Sequence, residues 1–198
     1  MTRLTFIRLV VSGDTEAVAR CLAANRALAT GAFKIGATRQ GPSTFFFDEI
    51  RHYLYEGDTA LHMAAAAFQC PIAELLVTHG AAHGAKNRRR AQPLHYAADA
   101  NIWNPGPQAD TIAYLISIGA DPNAVDMDGT APLHRAVRTR SLPAVRALLD
   151  GGADPLKTNG RGSTPMDLAL HTTGRGGSGS EHAKGQQAAI IALLKERC

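Results

Sequence analysis

The stretch Gly129-Thr-Ala-Pro-Leu-His-Arg-Ala-Val137 decides the reading of this chain, because it recurs. Three other segments align with it without gaps: Gly57-Asp-Thr-Ala-Leu-His-Met-Ala-Ala65, Arg90-Ala-Gln-Pro-Leu-His-Tyr-Ala-Ala98 and Gly162-Ser-Thr-Pro-Met-Asp-Leu-Ala-Leu170. With Leu61, Leu94, Leu133 and Met166 taken as equivalent, the spacings are 33, 39 and 33 residues. Three copies are followed by a second signature: Leu75-Leu76 before Gly80-Ala81, Leu115-Ile116 before Gly119-Ala120-Asp121, and Leu148-Leu149 before Gly152-Ala153-Asp154. The chain stops at Leu193-Leu194-Lys-Glu-Arg-Cys198, where the last copy lacks that tail. A period of this size marks a row of small units, none of which buries its own apolar face alone.

Each signature has a local physical reading. Thr59 and Thr164 offer side-chain N-caps, and Pro93, Pro132 and Pro165 sit in a first turn, where no N–H partner is needed. The Leu and Ala that follow predict a short helix with small residues for close packing. The Leu-Leu element predicts a second helix, which Gly80, Gly119 and Gly152 would end in a left-handed cap. Tight turns are predicted at Asp128-Gly129 and Asn159-Gly160.

Together the 33-residue period and the T-P-L-H and G-A-D signatures resemble the ankyrin repeat. The resemblance covers residues 57–198, and Gly13-Asp-Thr-Glu-Ala-Val-Ala-Arg-Cys-Leu22 extends it to residues 6–22. It implies an all-α repeat solenoid of about five helix-turn-helix units with hairpin fingers, the first and last acting as caps. Repeat 1 would span about 3–30 with an insertion at 31–56, and repeat 2 about 57–88. Repeats 3, 4 and 5 would span about 89–127, 128–160 and 161–198. The resemblance also implies that His62, His95 and His134 hydrogen-bond within and between repeats. Function would then be that of a non-catalytic protein–protein interaction module, binding through the concave groove of fingers and first helices. The run H-R-A-V-R-T-R followed by T-G-R-G-G-S-G is similar to that of stand-alone bacterial ankyrin proteins, a likeness that implies no activity.

Departures from the pattern are where function would show. Phe6 to Leu61 spans 55 residues rather than 33, so about 22 are added around residues 25–56. They include Phe45-Phe46-Phe47 and Asp48-Glu-Ile-Arg-His-Tyr-Leu-Tyr55. This insertion is either a loop or extra helix whose aromatics cover the end of the stack, or an aromatic lip beside the groove. Lys86-Asn-Arg-Arg-Arg90 occupies a finger tip, with Arg90 where the family usually has Gly and Gln92 where it usually has Thr. That tip is either a solvated finger or an electrostatic contact for an acidic protein. Nucleic acid is disfavoured, because the neighbouring finger Asp126-Met-Asp-Gly129 is acidic and the net charge is only +4. Two further insertions fall between the two helices of a repeat: Asp99–Asp110 in repeat 3, and Thr172–Ser180, then Lys184, in repeat 5. With Arg138-Thr-Arg140 between them, they would form one edge. There Gly174, Arg175, Gly176, Gly177 and Ser178 could nest an anion beside Arg138, Arg140 and Lys184, with Trp103 offering a flat face. The bland alternative is a loop covering a helix end, with Arg138 and Arg140 solvated or paired with Asp99 or Asp110.

Composition narrows the rest. A chain of 198 residues, 45% hydrophobic and 19% charged, suits one globular domain. No apolar run reaches the ~18 residues of a membrane helix. The apolar start is broken by Arg8 and shows no clear cleavage site, and three cysteines form no framework, which together predict a cytoplasmic protein. Residues 1–85 balance seven basic against seven acidic side chains, whereas residues 86–198 carry fourteen against ten, so the whole excess lies in the second part. No metal, nucleotide or hydrolase motif is present, and no cofactor is expected. The partner is predicted to be a protein with acidic patches, with a small anionic ligand at the inserted edge as the alternative. The expected contacts are Met63, Tyr96, Asp99, Arg135 and Arg138 on the groove, with Arg88, Arg89, Arg90, Asp128 and Arg161 at the finger tips.

Overall fold

The computed structural model describes residues 2–38, 43–99, 102, 104–171 and 180–197. Helices begin where the capping residues stand. The first helices of the repeats are α1 (Arg3–Ser12), α4 (Ala60–Ala66), α6 (Pro93–Ala98), α8 (Pro132–Arg138) and α10 (Pro165–His171). The second helices are α2 (Thr15–Ala24), α5 (Cys70–Thr78), α7 (Pro105–Ser117), α9 (Leu142–Asp150) and α11 (Glu181–Arg197). First helices pack on first helices and second on second, so the core runs as a row of interfaces along the stack. Ala64, Ala65, Ala97, Ala98 and Ala136 are fully buried at these contacts, where a larger side chain would hold the helices apart. On the second helices Leu76, Leu115, Leu148 and Leu194 are fully buried. Gly80, Gly119 and Gly152 take the expected left-handed conformation, at φ +98°, +98° and +90°.

The histidines tie each helix pair to the next finger. Nδ1 of His62, His95 and His134 accepts the backbone N–H of Thr59, Gln92 and Ala131, at 3.1, 3.2 and 3.2 Å. That fixes the proton on Nε2, which donates to the carbonyls of Ala91, Thr130 and Ser163 at 3.1, 3.1 and 3.2 Å. Burial lowers the pKa of all three, to about 4 at His95. In the fifth unit Asp167 stands in the histidine's place and closes only the local half of the pattern. Its Oδ2 accepts from the N–H and the hydroxyl of Thr164 at 2.8 and 2.7 Å.

The finger tips share one chemistry. The side-chain oxygen of Asn87, Asp126 or Asn159 accepts two backbone N–H groups, two and four residues on, at 2.9–3.1 Å. The expected turn at Asn159-Gly160 is therefore shifted. Asn159 opens a turn that closes at Gly162, just as Asp126 opens one that closes at Gly129. Gly160 is needed for another reason: its N–H donates to the Asp128 carbonyl at 3.0 Å, and a Cβ there would lie 2.5 Å from that oxygen. In the same way Met127 N–H reaches Arg89 O and Arg88 N–H reaches Glu56 O, which laces neighbouring fingers together.

The two inter-helix insertions lengthen the second helices, to 13 residues in α7 and 17 in α11 against nine in α5 and α9. They also remove a hydrogen bond. In the short-turn repeats a backbone N–H from Asp14, Gln69 or Ser141 caps the carbonyl of Leu9, Ala64 or Ala136. In the two long ones the residue at that position is a glutamine, and its side chain takes over. Gln108 Nε2 donates to Ala97 O at 2.8 Å and Gln187 Nε2 to Ala169 O at 2.6 Å.

Candidate partner-binding groove

The insertion after repeat 1 contributes α3 (Ala27–Thr30), then a short hairpin of β1 (Phe46–Phe47) and β2 (His52–Tyr53). Phe47 is buried beneath the guanidinium of Arg8, at 5.6 Å. On the other face the rings of Phe46 and Tyr53 meet at 4.6 Å, while His52, the cross-strand partner of Phe47, lies 4.6 Å from Tyr96 on α6. Tyr55 follows beside Tyr53 and His52, at 6.2 and 6.3 Å, and Tyr96 meets His62 at 5.1 Å. A continuous run of rings thus docks the hairpin on the concave side. Its aromatics do both things expected of them: Phe47 covers the core and His52, Tyr53 and Tyr55 wall the groove.

That wall turns part of the groove into a chamber of about 330 Å³, bounded opposite by the second and third fingers and floored by α6 and α8. Beneath it, fully buried Asp58 accepts the Tyr96 hydroxyl at 2.8 and 2.9 Å and Asn87 Nδ2 at 2.9 Å. Burial, then Asp58, raises the Tyr96 phenol well above its ordinary range, so it stays a donor. Arg135 crosses the floor between two carboxylates. Nη1 donates to Asp99 Oδ2 and Nη2 to Asp126 Oδ2, each at 2.7 Å, while Arg138 Nη2 lies 3.5 Å from Asp99 Oδ1. Burial pushes the Asp99 carboxyl up, but Arg135, His52 and Arg138 outweigh it and hold the group below the usual carboxylate range. At Asp126 burial acts the same way and is outweighed by hydrogen bonds from Arg135 and from the Thr130 and Asp128 N–H groups. Both carboxylates are ionised at neutral pH.

The expected contact residues divide into four groups. Arg89, Arg90, Asp128, Arg138 and Arg161 have exposed or half-exposed side chains on the groove or its fingers. Arg89 pairs with Asp128 across adjacent tips at 3.5 Å. Arg161 lies, with Arg138, Met127 and Leu168, along a second hollow of about 670 Å³ between the third and fourth fingers. Arg90 holds φ +60° where Gly57, Gly129 and Gly162 hold +85°, +68° and +77° in the other repeats, so a cation occupies a glycine position. Tyr96 and Arg135 reach the groove but are buried in its floor, and Asp99 beside them is half-buried. They shape it and are not projecting contacts. Arg88 turns back: it donates to Ala37 O at 2.9 Å and stacks on Tyr55 at 5.5 Å, which clamps the insertion to the second finger. Met63 corrects the expectation outright, for it is fully buried where α1, α3 and α6 enclose α4.

Of the inserted edge, Trp103, Gly174, Arg175, Gly176, Gly177 and Ser178 lie outside the described residues. Arg140 is not a surface cation: it is buried in the turn between α8 and α9, at φ +57°. Lys184 pairs with Glu181 on α11 at 2.8 Å. Arg138 takes the predicted pairing with Asp99, but Asp99 binds Arg135 more closely. Arg51, His52 and Tyr53 line the chamber without being among the expected contacts, because the hairpin that carries them shows in burial and not in residue type. Along His52-Tyr-Leu-Tyr55 buried and half-buried side chains alternate with the period of two that marks a strand. Burial, then Glu74, pushes the Cys70 thiol up to about 11, so it is no activated nucleophile. Among the described residues no three metal-ligating side chains cluster, and no helix is long and apolar enough to cross a membrane.

Comparison with known proteins agrees with this architecture. A family model for ankyrin repeats (3 copies) matches residues 9–126, and one for ankyrin repeats (many copies) matches residues 115–169. The human ankyrin repeat and SOCS box protein 6 is 32% identical over 143 residues, covering 69% of this chain and 32% of that protein. Tyrosine-protein kinase Shark of Drosophila melanogaster is 36% identical over 115 residues, 58% of this chain and 12% of its own. Human B-cell lymphoma 3 protein is 31% identical over 125 residues, covering 59% and 26% respectively. The chain therefore spans about a third or less of the length of these relatives. With its repeated helix pairs, laced fingers and bridging histidines, the chain belongs to the ankyrin repeat family.

Proposed function

We propose that this chain is a non-catalytic binding module that holds an acidic protein surface in its concave groove, between the insertion hairpin and the fourth finger. Ankyrin repeats are in general protein–protein interaction modules. The observation that carries the finer reading is the fixed charge of the chamber. Arg135 of the fourth repeat is locked by two carboxylates of the third, so the groove floor is rigid before any partner arrives. Around it stand exposed Arg51, Arg89, Arg90 and Arg161 and half-exposed Arg138, with Asp128 as the acidic counterweight. Arginines beside tyrosine rings are the residue types that most often dominate an interface. Arg90 adds a second hint, since a cation kept in a left-handed conformation is strained for something other than stability.

The test is capture by the immobilised chain, with charge reversal in the groove set against the same reversal on the convex face. Arg89→Glu with Arg90→Glu, and separately Arg138→Glu, should lose a partner that Arg146→Glu retains, and capture should weaken as salt rises. Capture that is salt-independent and equal in all of these variants would remove the groove from the account.

A further inference from the structure

The chamber has more hydrogen-bond donors than its own acceptors use. Its carboxylates are engaged: Asp99 faces Arg135 and Arg138, Asp126 takes Arg135 through Oδ2 and two backbone N–H groups through Oδ1, and exposed Asp128 pairs with Arg89 at 3.5 Å. Asp58, behind the floor, is filled by Tyr96, Asn87 and the Tyr55 N–H at 2.6 Å. The guanidiniums are not matched in the same way. Nε–H of Arg135 and Nε–H of Arg138 are both buried with no hydrogen-bond partner among the described residues, and both side chains line the chamber. Arg135 is about nine-tenths buried, so solvent reaches it poorly. Two further guanidiniums, of Arg51 and Arg89, stand exposed at the rim.

The four arginines of the lining outnumber its carboxylates, Asp99, Asp126 and Asp128, and two of them hold an unmet Nε–H, which disfavours a cation or an apolar group. The chamber suits an anion with planar oxygens, since a guanidinium fork matches a carboxylate in two parallel bonds. We propose that this chamber is a carboxylate-binding site, and that its occupant is an aspartate or glutamate side chain of the partner. The identity of the occupant rests on the groove reading given above; the site itself rests on the unmet donors.

The side-chain Nε–H resonances of the arginines report the site directly by NMR. The probes are acetyl-Gly-Glu-Gly-amide, its Gln counterpart, free glutarate and inorganic phosphate, each raised to about 10 mM, which detects millimolar affinity. The Glu peptide should shift the Arg135 and Arg138 Nε–H signals saturably, and at least tenfold more tightly than the Gln peptide. Arg138→Gln should weaken that binding about tenfold, Arg138→Lys should restore part of it, and Arg146→Gln should leave it unchanged. Silent Nε–H signals, or equal response to the Glu and Gln peptides, would overturn the site. Phosphate binding tighter than the Glu peptide would overturn its assignment to a carboxylate. Glutarate binding without peptide binding would overturn the protein source. The two readings fail separately. Loss of capture in groove variants with silent Nε–H signals removes only the carboxylate site. Saturable shifts with capture intact in every groove variant remove the groove reading and leave a small-carboxylate site.

Discussion

Replacing Arg135 with Met should destabilise the protein at neutral pH and reverse part of its response to acid. The substitution keeps an unbranched apolar stem and removes the guanidinium with its charge. Asp126 would keep two backbone N–H donors, but Asp99 would keep only Arg138, at 3.5 Å. Removing one member of a buried ion pair costs about 3–5 kcal/mol. The three side chains are 6–14% exposed, so some water reaches Asp99, and a value near 3 kcal/mol is expected. For a domain of this size that is a fall in Tm of about 6–12 °C. The sign of the pH dependence follows from the two carboxylates. In the wild type both are held below the ordinary carboxylate range, so their contribution is full above about pH 4 and is lost as pH falls through their folded values. In the variant burial acts on Asp99 with its main counter-charge gone, so protonation relieves a buried anion and acid restores stability. Arg135 also depresses His95, and its removal eases protonation there in the same direction. The gap between wild type and variant should therefore narrow from pH 7 to pH 4. Urea unfolding followed by circular dichroism at pH 7, 5.5 and 4 measures it. A gap under about 1 kcal/mol at pH 7, or one that widens in acid, would refute the argument.

Three other substitutions test other parts of the account. Gln108→Leu removes the donor to Ala97 O and the acceptor for the Ser141 hydroxyl at 2.7 Å, and should cost about 1–3 kcal/mol in urea unfolding. Gln69→Leu, at the equivalent position where the backbone N–H caps the helix, should cost clearly less. Arg90→Gly should relieve the left-handed strain and raise stability by about 0.5–1 kcal/mol, while weakening capture in the same preparation. The pKa of His95 is lowered from the ordinary 6.5 to about 4, so its contribution is full above pH 6.5 and is lost as pH falls towards 4. His95→Gln should flatten that part of the stability-versus-pH curve, measured by thermal unfolding at intervals of half a pH unit.

The repeat was legible because its signals are local. A threonine or a proline at the start of the first helix, the leucine or methionine that follows and a glycine after the second helix each act through their own backbone, and each stands where it was expected. The turn at Asn159 was misplaced by the Asn-Gly pair, because the glycine that turns is Gly162 and Gly160 serves the neighbouring finger. Gln108 and Gln187 could not be read at all. A glutamine near a helix start looks like ordinary solvent-facing polarity until the lost turn N–H is known. The site was legible in outline only. The basic tip and the aromatic insertion were seen, but Arg88 was counted as a contact when it clamps the insertion. Arg135 bonds to Asp99 from 36 residues away, and nothing in a lone charged residue announces that it will be buried. Met63 failed for the opposite reason: a variable position on a first helix was taken to face the groove, and in this chain it is fully buried.

The most direct test of the central claim is to place a photo-crosslinking benzoylphenylalanine at Met127 or Tyr53 in the groove and at Arg146 on the convex face. The account predicts that one partner crosslinks from positions 53 and 127 and not from 146. A partner that crosslinks from 146 while both groove positions stay silent would contradict it.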